Sequence, residues 1–233
     1  ETQNVKKFFY SHPNIAGAQS YHNFGGMFLR PPGAEEDAMY VPQSDIAVYD
    51  VIGKTGEKMI PGYRYFVLWK DLYTVYGGEI DWIGLGRGVF MFSNEINTSY
   101  RLFNKNSNEN RNQNNEFEEF DKYLLLGDSY VKWKPIKHPQ YGDIEIGGTK
   151  RNYIRNTPGL LLEEEGHRNM AFTMLHAYHM PKLEIIDIKS KALANGLTEV
   201  TAIVQNQRAI PTHSAHDIRF KIERPDYITL KNA

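Results

Sequence analysis

A chain of 233 residues with 41% hydrophobic side chains, 28 acidic against 27 basic groups and no cysteine is long enough for one large domain or two small ones with a real core. Its net charge of −1 excludes a global field that would draw in nucleic acid or an anionic membrane. The missing thiols exclude disulfides, thiolate metal sites and cysteine nucleophiles, and no apolar run reaches the length of a membrane span.

Residues 14–30 predict a strand, a polar turn and a second apolar strand, closed by Pro31, Pro32 and Gly33. Ser44 stands where a helix N-cap belongs, with the helix running through about Asp50 to Gly53. Phe66 to Trp69 form a short apolar run, Gly77-Gly78 mark a tight turn, and Val89 to Phe92 form another strand, followed by Ser93-Asn94-Glu95. An apolar strand with a polar, acidic tip is how open α/β sheets present chemistry. Residues 104–115 are asparagine-rich and predict a solvent loop. Phe117, Phe120, Leu124 and Leu125 share one face of a predicted helix over 116–126, residues 135–158 carry the Pro and Gly of a connector, and 160–180 are helical again. Pro181 ends that helix. Beyond it, LEIIDIKSKAL, TEVTAIVQNQ and HDIRFKIE alternate as strands, with Asn195-Gly196 as a turn. This predicts a domain over 1–180 and a small, incomplete β-sandwich over 181–233. The chain opens at Glu1 and stops at Ala233 after three or four such strands, so it is expected to be a piece of a longer protein.

Two residues stand out for chemistry: His22 at the end of the first strand and Glu95 at the tip of the last strand of the first half. Each type alone is ambiguous, since a strand-end His or Glu is most often structural. The motifs around them narrow the choice. Tyr21-His22-Asn23 leads into an apolar strand with a Pro-Pro-Gly exit. Tyr73, 51 residues after His22, opens a loop that runs through Gly77-Gly78 to Ile80-Asp81-Trp82. Glu95 follows Asp81 by 14 residues. In order and spacing these segments, spanning about residues 14–100, resemble the second half of the catalytic domain of zinc carboxypeptidases of the funnelin (M14) type. The later stretches 134–139 and 159–180 are similar to bacterial members with an added C-terminal β domain.

The resemblance implies an α/β fold, with this chain holding the later strands of a mixed eight-stranded sheet. It implies that His22 is one ligand of a catalytic zinc and Glu95 the general base, with Tyr73 bonding substrate from a mobile loop. Asn23 would touch the substrate backbone, and Ile80 would favour an apolar or aromatic C-terminal side chain. The chemistry suits these types: a catalytic zinc takes His and carboxylate ligands and keeps one position for water, and a nearby carboxylate can carry the proton. The implied partner is a peptide with a free C-terminus, and the implied location is extracellular or periplasmic. The chain departs from the family in two respects. Only 21 residues precede His22, too few to hold the Arg and Asn-Arg pair with which the family clamps the substrate carboxylate. The chain also has no His-x-x-Glu motif, the family's source of two zinc ligands, so the remaining ligands are expected outside these residues and the chain alone is expected to be inactive. Exposed sheet edges would then favour self-association.

Two other functions stay open on the sequence: a non-catalytic peptide- or carbohydrate-binding module centred on the segment from Leu183, and a related zinc deacylase. The remaining histidine motifs have plainer explanations. Glu164-x-x-His167 lacks the second copy that a di-iron site needs. His176-x-x-His179 sits at a helix end where a cation meets the dipole favourably. His213-x-x-His216 predicts a surface pair, and Glu163 to Glu165 a solvated helix face.

Overall fold

The computed structural model describes residues 1–98, 118–229 and 231, and these form a mixed α/β protein with three small sheets. The asparagine-rich stretch 104–115 and Phe117 lie outside the described residues. No helix among the described residues is long and apolar enough to cross a membrane.

The principal sheet has the order β1-β4-β2-β3. Its strands are β1 (Gly17–Asn23), β2 (Met27–Arg30), β3 (Arg64–Val67) and β4 (Phe90–Ile96). β1 runs parallel to β4, β2 antiparallel to β4, and β3 parallel to β2. Ser93, Asn94 and Glu95 extend β4 rather than follow it. Around the sheet stand helices α1 (Thr2–Ser11), α2 (Gln43–Met59) and α3 (Glu79–Arg87). α2 starts at Gln43 behind Pro42, with no side-chain cap from Ser44, and runs well past Gly53.

Successive side chains in a strand alternate faces, and the two faces bury different partners. Phe28, Phe90 and Phe92 point to one side, where Tyr49 and Ile52 of α2 and Phe172 of a later helix close the core. Phe28 and Phe172 stack with ring centroids 3.9 Å apart, and Phe92 meets Phe172 edge-on at 5.5 Å. Leu29 and Met91 point to the other side, against Ile80 and Ile83 of α3 and Leu68 of the π-helical turn Leu68–Leu72. Gly33 ties that turn region to α3. Both oxygens of the Asp81 carboxylate accept from the Gly33 amide, at 2.9 and 3.1 Å, and Val75 N–H donates to the Gly33 carbonyl. A Cβ on Gly33 would stand 2.5 Å from Asp81 Oδ2 and 2.7 Å from the Val75 carbonyl, which leaves room for glycine alone.

The second half departs from expectation in three places. The predicted connector over 135–158 contains a hairpin, β5 (Tyr130–His138) with β6 (Gly142–Thr149), and a short helix α4 (Arg151–Arg155). Helix α5 (Gly159–Tyr178) follows as predicted. Glu165, expected to face solvent, is 1% exposed; its carboxylate accepts from the Tyr63 hydroxyl, from the Asn169 amide at 3.1 Å and from the Asn97 N–H at 3.3 Å. Among the described residues, 181–233 hold one hairpin, β7 (Leu183–Ala192) with β8 (Thr198–Asn206), and a helix, rather than a sandwich.

That helix, α6 (Ala215–Phe220), replaces the strand that alternation suggested for HDIRFKIE. Ser214 caps it by accepting from Asp217 N–H, and the Ser-x-x-Asp spacing is a cap signal that competes with the period of 2. Its amides at Ala215 and His216 donate to the buried Asp45 carboxylate at 2.8 and 2.9 Å. His216 is buried too, with Nδ1 2.6 Å from the Tyr40 carbonyl and Nε2 2.8 Å from that of Leu85. His216, expected at the surface, is therefore a pin to Leu85 of α3, and Asp45 fastens α6 to α2.

Candidate functional site

Parallel pairing of β1 and β4 sets their residues side by side: Ala18 with Met91, Ser20 with Ser93 and His22 with Glu95. All six share one sheet face by alternation. The row runs from apolar core to polar tip, so the chemistry-bearing end is the carboxyl end of two adjacent parallel strands, where open α/β sheets bind ligands. Glu95 also stands opposite Met27 of β2.

The N-terminus of α3 closes this end. Glu79, in its first turn, takes up His22: His22 Nε2 lies 2.8 Å from Glu79 Oε1, with both side chains about half exposed. No described residue hydrogen-bonds His22 Nδ1. Burial alone would raise the Glu79 carboxyl, but hydrogen bonds from Ser20 and His22, together with the His22 charge, bring it below its usual value. Ser20 Oγ lies 3.2 Å from Ser93 Oγ. In that contact the Ser20 hydroxyl donates and the Ser93 hydroxyl oxygen accepts. Glu95 moves the other way. Desolvation pushes its carboxyl up, and the His22 charge offsets only part of that.

The other expected site residues are placed as follows. Asn23 ends β1, exposed, with its amide 3.5 Å from Asn156 Oδ1. Tyr73 is exposed at the start of the 73–78 loop, while its neighbour Tyr76 is tied down by a 2.8 Å bond to Glu36. Ile80 is 3% exposed and packs with Leu29, Leu68 and Ile83 in the second core. Thus His22 and Glu95 come together at the strand tips, with Asn23 beside them on β1, whereas Ile80 lies beneath the surface. Glu79, Ser20 and Ser93 were missed by the sequence reading. The signal for the serines was there: Ser-x-His and Ser-x-Glu repeat the same period of 2 on two strands. Nothing in the sequence pointed to Glu79, because its partner is 57 residues away.

The donor set fits one part of a metal site. One imidazole has a carboxylate on one nitrogen and the other nitrogen open, the usual arrangement of a metal-bound histidine and its outer partner. Among the described residues there is no group of three or more His, Asp or Glu that could hold a metal ion. His176 and His213 are engaged elsewhere. His176 is buried beside Phe92, its Nδ1 3.2 Å from the Gln19 amide, rather than at a solvated helix end. His213 bonds Asp217 at 2.6 Å, and Glu164 pairs with Arg168 at 2.7 Å.

A family model described as a domain of unknown function, DUF8731, matches residues 182–233, the segment that contains hairpin β7–β8 and the docked helix α6. No curated protein matches the chain.

Proposed function

We propose that this chain carries one zinc ligand and the general base of a metal-dependent peptidase related to the funnelin carboxypeptidases, acting on peptides with a free C-terminus. The observation that carries this reading is the in-register pairing of His22 and Glu95 at the carboxyl ends of parallel strands. A zinc ion held there by His22, with further ligands from outside residues 1–233, would supply Lewis acidity toward water and the scissile carbonyl. Glu95, its carboxyl raised by desolvation, takes a proton at a carboxylate oxygen and returns it to the leaving amine. Tyr73 donates a hydrogen bond to substrate from its loop, where Gly77 adopts φ +69°, and Asn23 borders the bound chain. Ile80 acts as the floor under the side-chain site. The four-stranded sheet would be the later part of a larger mixed sheet continuing past an edge strand, β1 or β3, and those edges are where self-association would occur. The same resemblance supports an extracellular or periplasmic location.

Hydrolysis of a C-terminal residue by the zinc-loaded protein, compared between wild type and Glu95→Gln, tests the reading. The variant is expected to keep its zinc and lose about 10²–10⁴-fold in rate. Near wild-type hydrolysis would sink the assignment. Faster turnover of acylated amino acids than of peptides would move the protein to the related deacylases. A non-catalytic binding role is favoured by one observation, the exposed apolar face of hairpin β7–β8, and a protein that holds no zinc at any concentration tested would turn the reading toward it.

A further inference from the structure

We infer that Glu79 is the positioning residue of this site: its carboxylate holds the Nε2–H of His22 and so fixes the ring with Nδ1 as the bare, ligand-binding nitrogen. The inference rests on the proposed role of His22 and goes beyond it, since the resemblance assigns nothing to position 79.

Three observations support it. The contact is direct, with His22 Nε2 2.8 Å from Glu79 Oε1. A carboxylate only accepts, so the proton of a neutral ring must lie on Nε2, and Nδ1 is then the nitrogen with the free lone pair. Glu79 is itself placed by the fold: it lies in the first turn of α3, where the amide dipoles favour a negative charge. The ring is therefore oriented by a group whose own position comes from a helix end. Such outer partners raise the basicity of a metal-binding imidazole and fix its angle.

A plain surface ion pair is the competing explanation. At half exposure such a pair adds little to stability and leaves the ring chemistry unchanged. The distinction is measurable on this chain by ¹⁵N spectroscopy of the His22 ring at pH 9, where the imidazole is neutral. The wild type is expected to be almost wholly the Nε2–H tautomer. In Glu79→Ala the Nδ1–H population should rise at least fivefold, and Glu79→Gln, which keeps an acceptor oxygen, should remain close to wild type. A wild type rich in Nδ1–H, or a tautomer ratio unmoved in Glu79→Ala, overturns the inference.

Zinc titration of the same chains gives the second readout. Zinc is expected to shift Nδ1 rather than Nε2 in the wild type, and Glu79→Ala should need about 10–100-fold more zinc. A shift at Nε2, or equal affinity in Glu79→Ala, counts against Glu79. If instead His22→Ala binds zinc as wild type does, the metal reading of the site fails. The tautomer ratio then still decides what Glu79 does to the ring.

Discussion

The principal sheet and the β7–β8 hairpin are opposite kinds of β-structure. Strands β2 and β3 are four residues long, yet the sheet buries Phe28, Leu29, Met91 and Phe92 between two helical layers. β7 and β8 run for ten and nine residues with a regular ladder broken by one bulge, and no residue of either strand is buried. The hairpin is nonetheless amphipathic. Register puts Ile185, Ile188, Val200 and Val204 on one face, and Glu184, Lys189, Lys191 and Glu199 on the other. The comparison teaches that ladder length does not make a core. A backbone hydrogen bond exchanges for one with water at a net gain of about 1 kcal/mol, whereas each buried aromatic removes a large apolar area from solvent.

Substitutions on the two regions sharpen the contrast. Phe172→Ala, which removes the stack on Phe28 and the edge contact with Phe92, should lower stability by about 3–5 kcal/mol in urea unfolding. Acid is the next largest probe. Burial pulls the His176 imidazole down to about 4. The unfolded chain binds that proton near the ordinary value of about 6.5, so stability should fall as pH drops from about 6.5 to 4, by roughly 3 kcal/mol. His213, raised by its bond to Asp217, works with opposite sign. Its contribution is full below about 6.5 and is lost as pH rises through its folded value. Urea midpoints at pH 7, 5.5 and 4.5 should therefore fall less steeply in His176→Gln than in wild type; parallel slopes would contradict the assignment. Asp45→Ala, which strips α6 of its anchor, should cost about 1–3 kcal/mol and speed amide exchange at Ala215 and His216 ahead of the sheet. Smallest of all, Ile188→Ser on the hairpin should stay within about 0.5 kcal/mol. A hairpin variant as costly as Phe172→Ala would mean that the apolar face is covered in solution, and would break the comparison.

What the sequence revealed follows the range of the interactions. β1, β2, β4 and α5 are legible because their side-chain periods are local, and the meeting of His22 with Glu95 at the strand ends because the motifs around them sit at fixed spacing. The helix at Ala215 was misread because Ile218, Phe220 and Ile222 alternate like a strand, while the Ser214 cap and the Asp45 carboxylate decide the outcome. Hairpin β5–β6 reads as a connector because Pro135 and Gly142 are turn residues, yet both sit within the strands. The Glu79–His22 contact, the Glu165 network and the His216 pin join residues far apart in the chain, and local pattern carries no trace of them.

The attachment of β7–β8 has a mechanical side. At its base, Gln207 N–H donates to the Lys182 carbonyl at 2.9 Å and Ile210 N–H to that of His179 at 3.0 Å. Ile210 is wholly buried in the first core, and α6 is clamped beyond it. The hairpin is thus closed at its base by Gln207 and Lys182 and tied to the end of α5 through Ile210. A partner on its apolar face would stay close to the body of the protein through that short tie, which lowers the entropic loss that a long, loose linker imposes on a second contact.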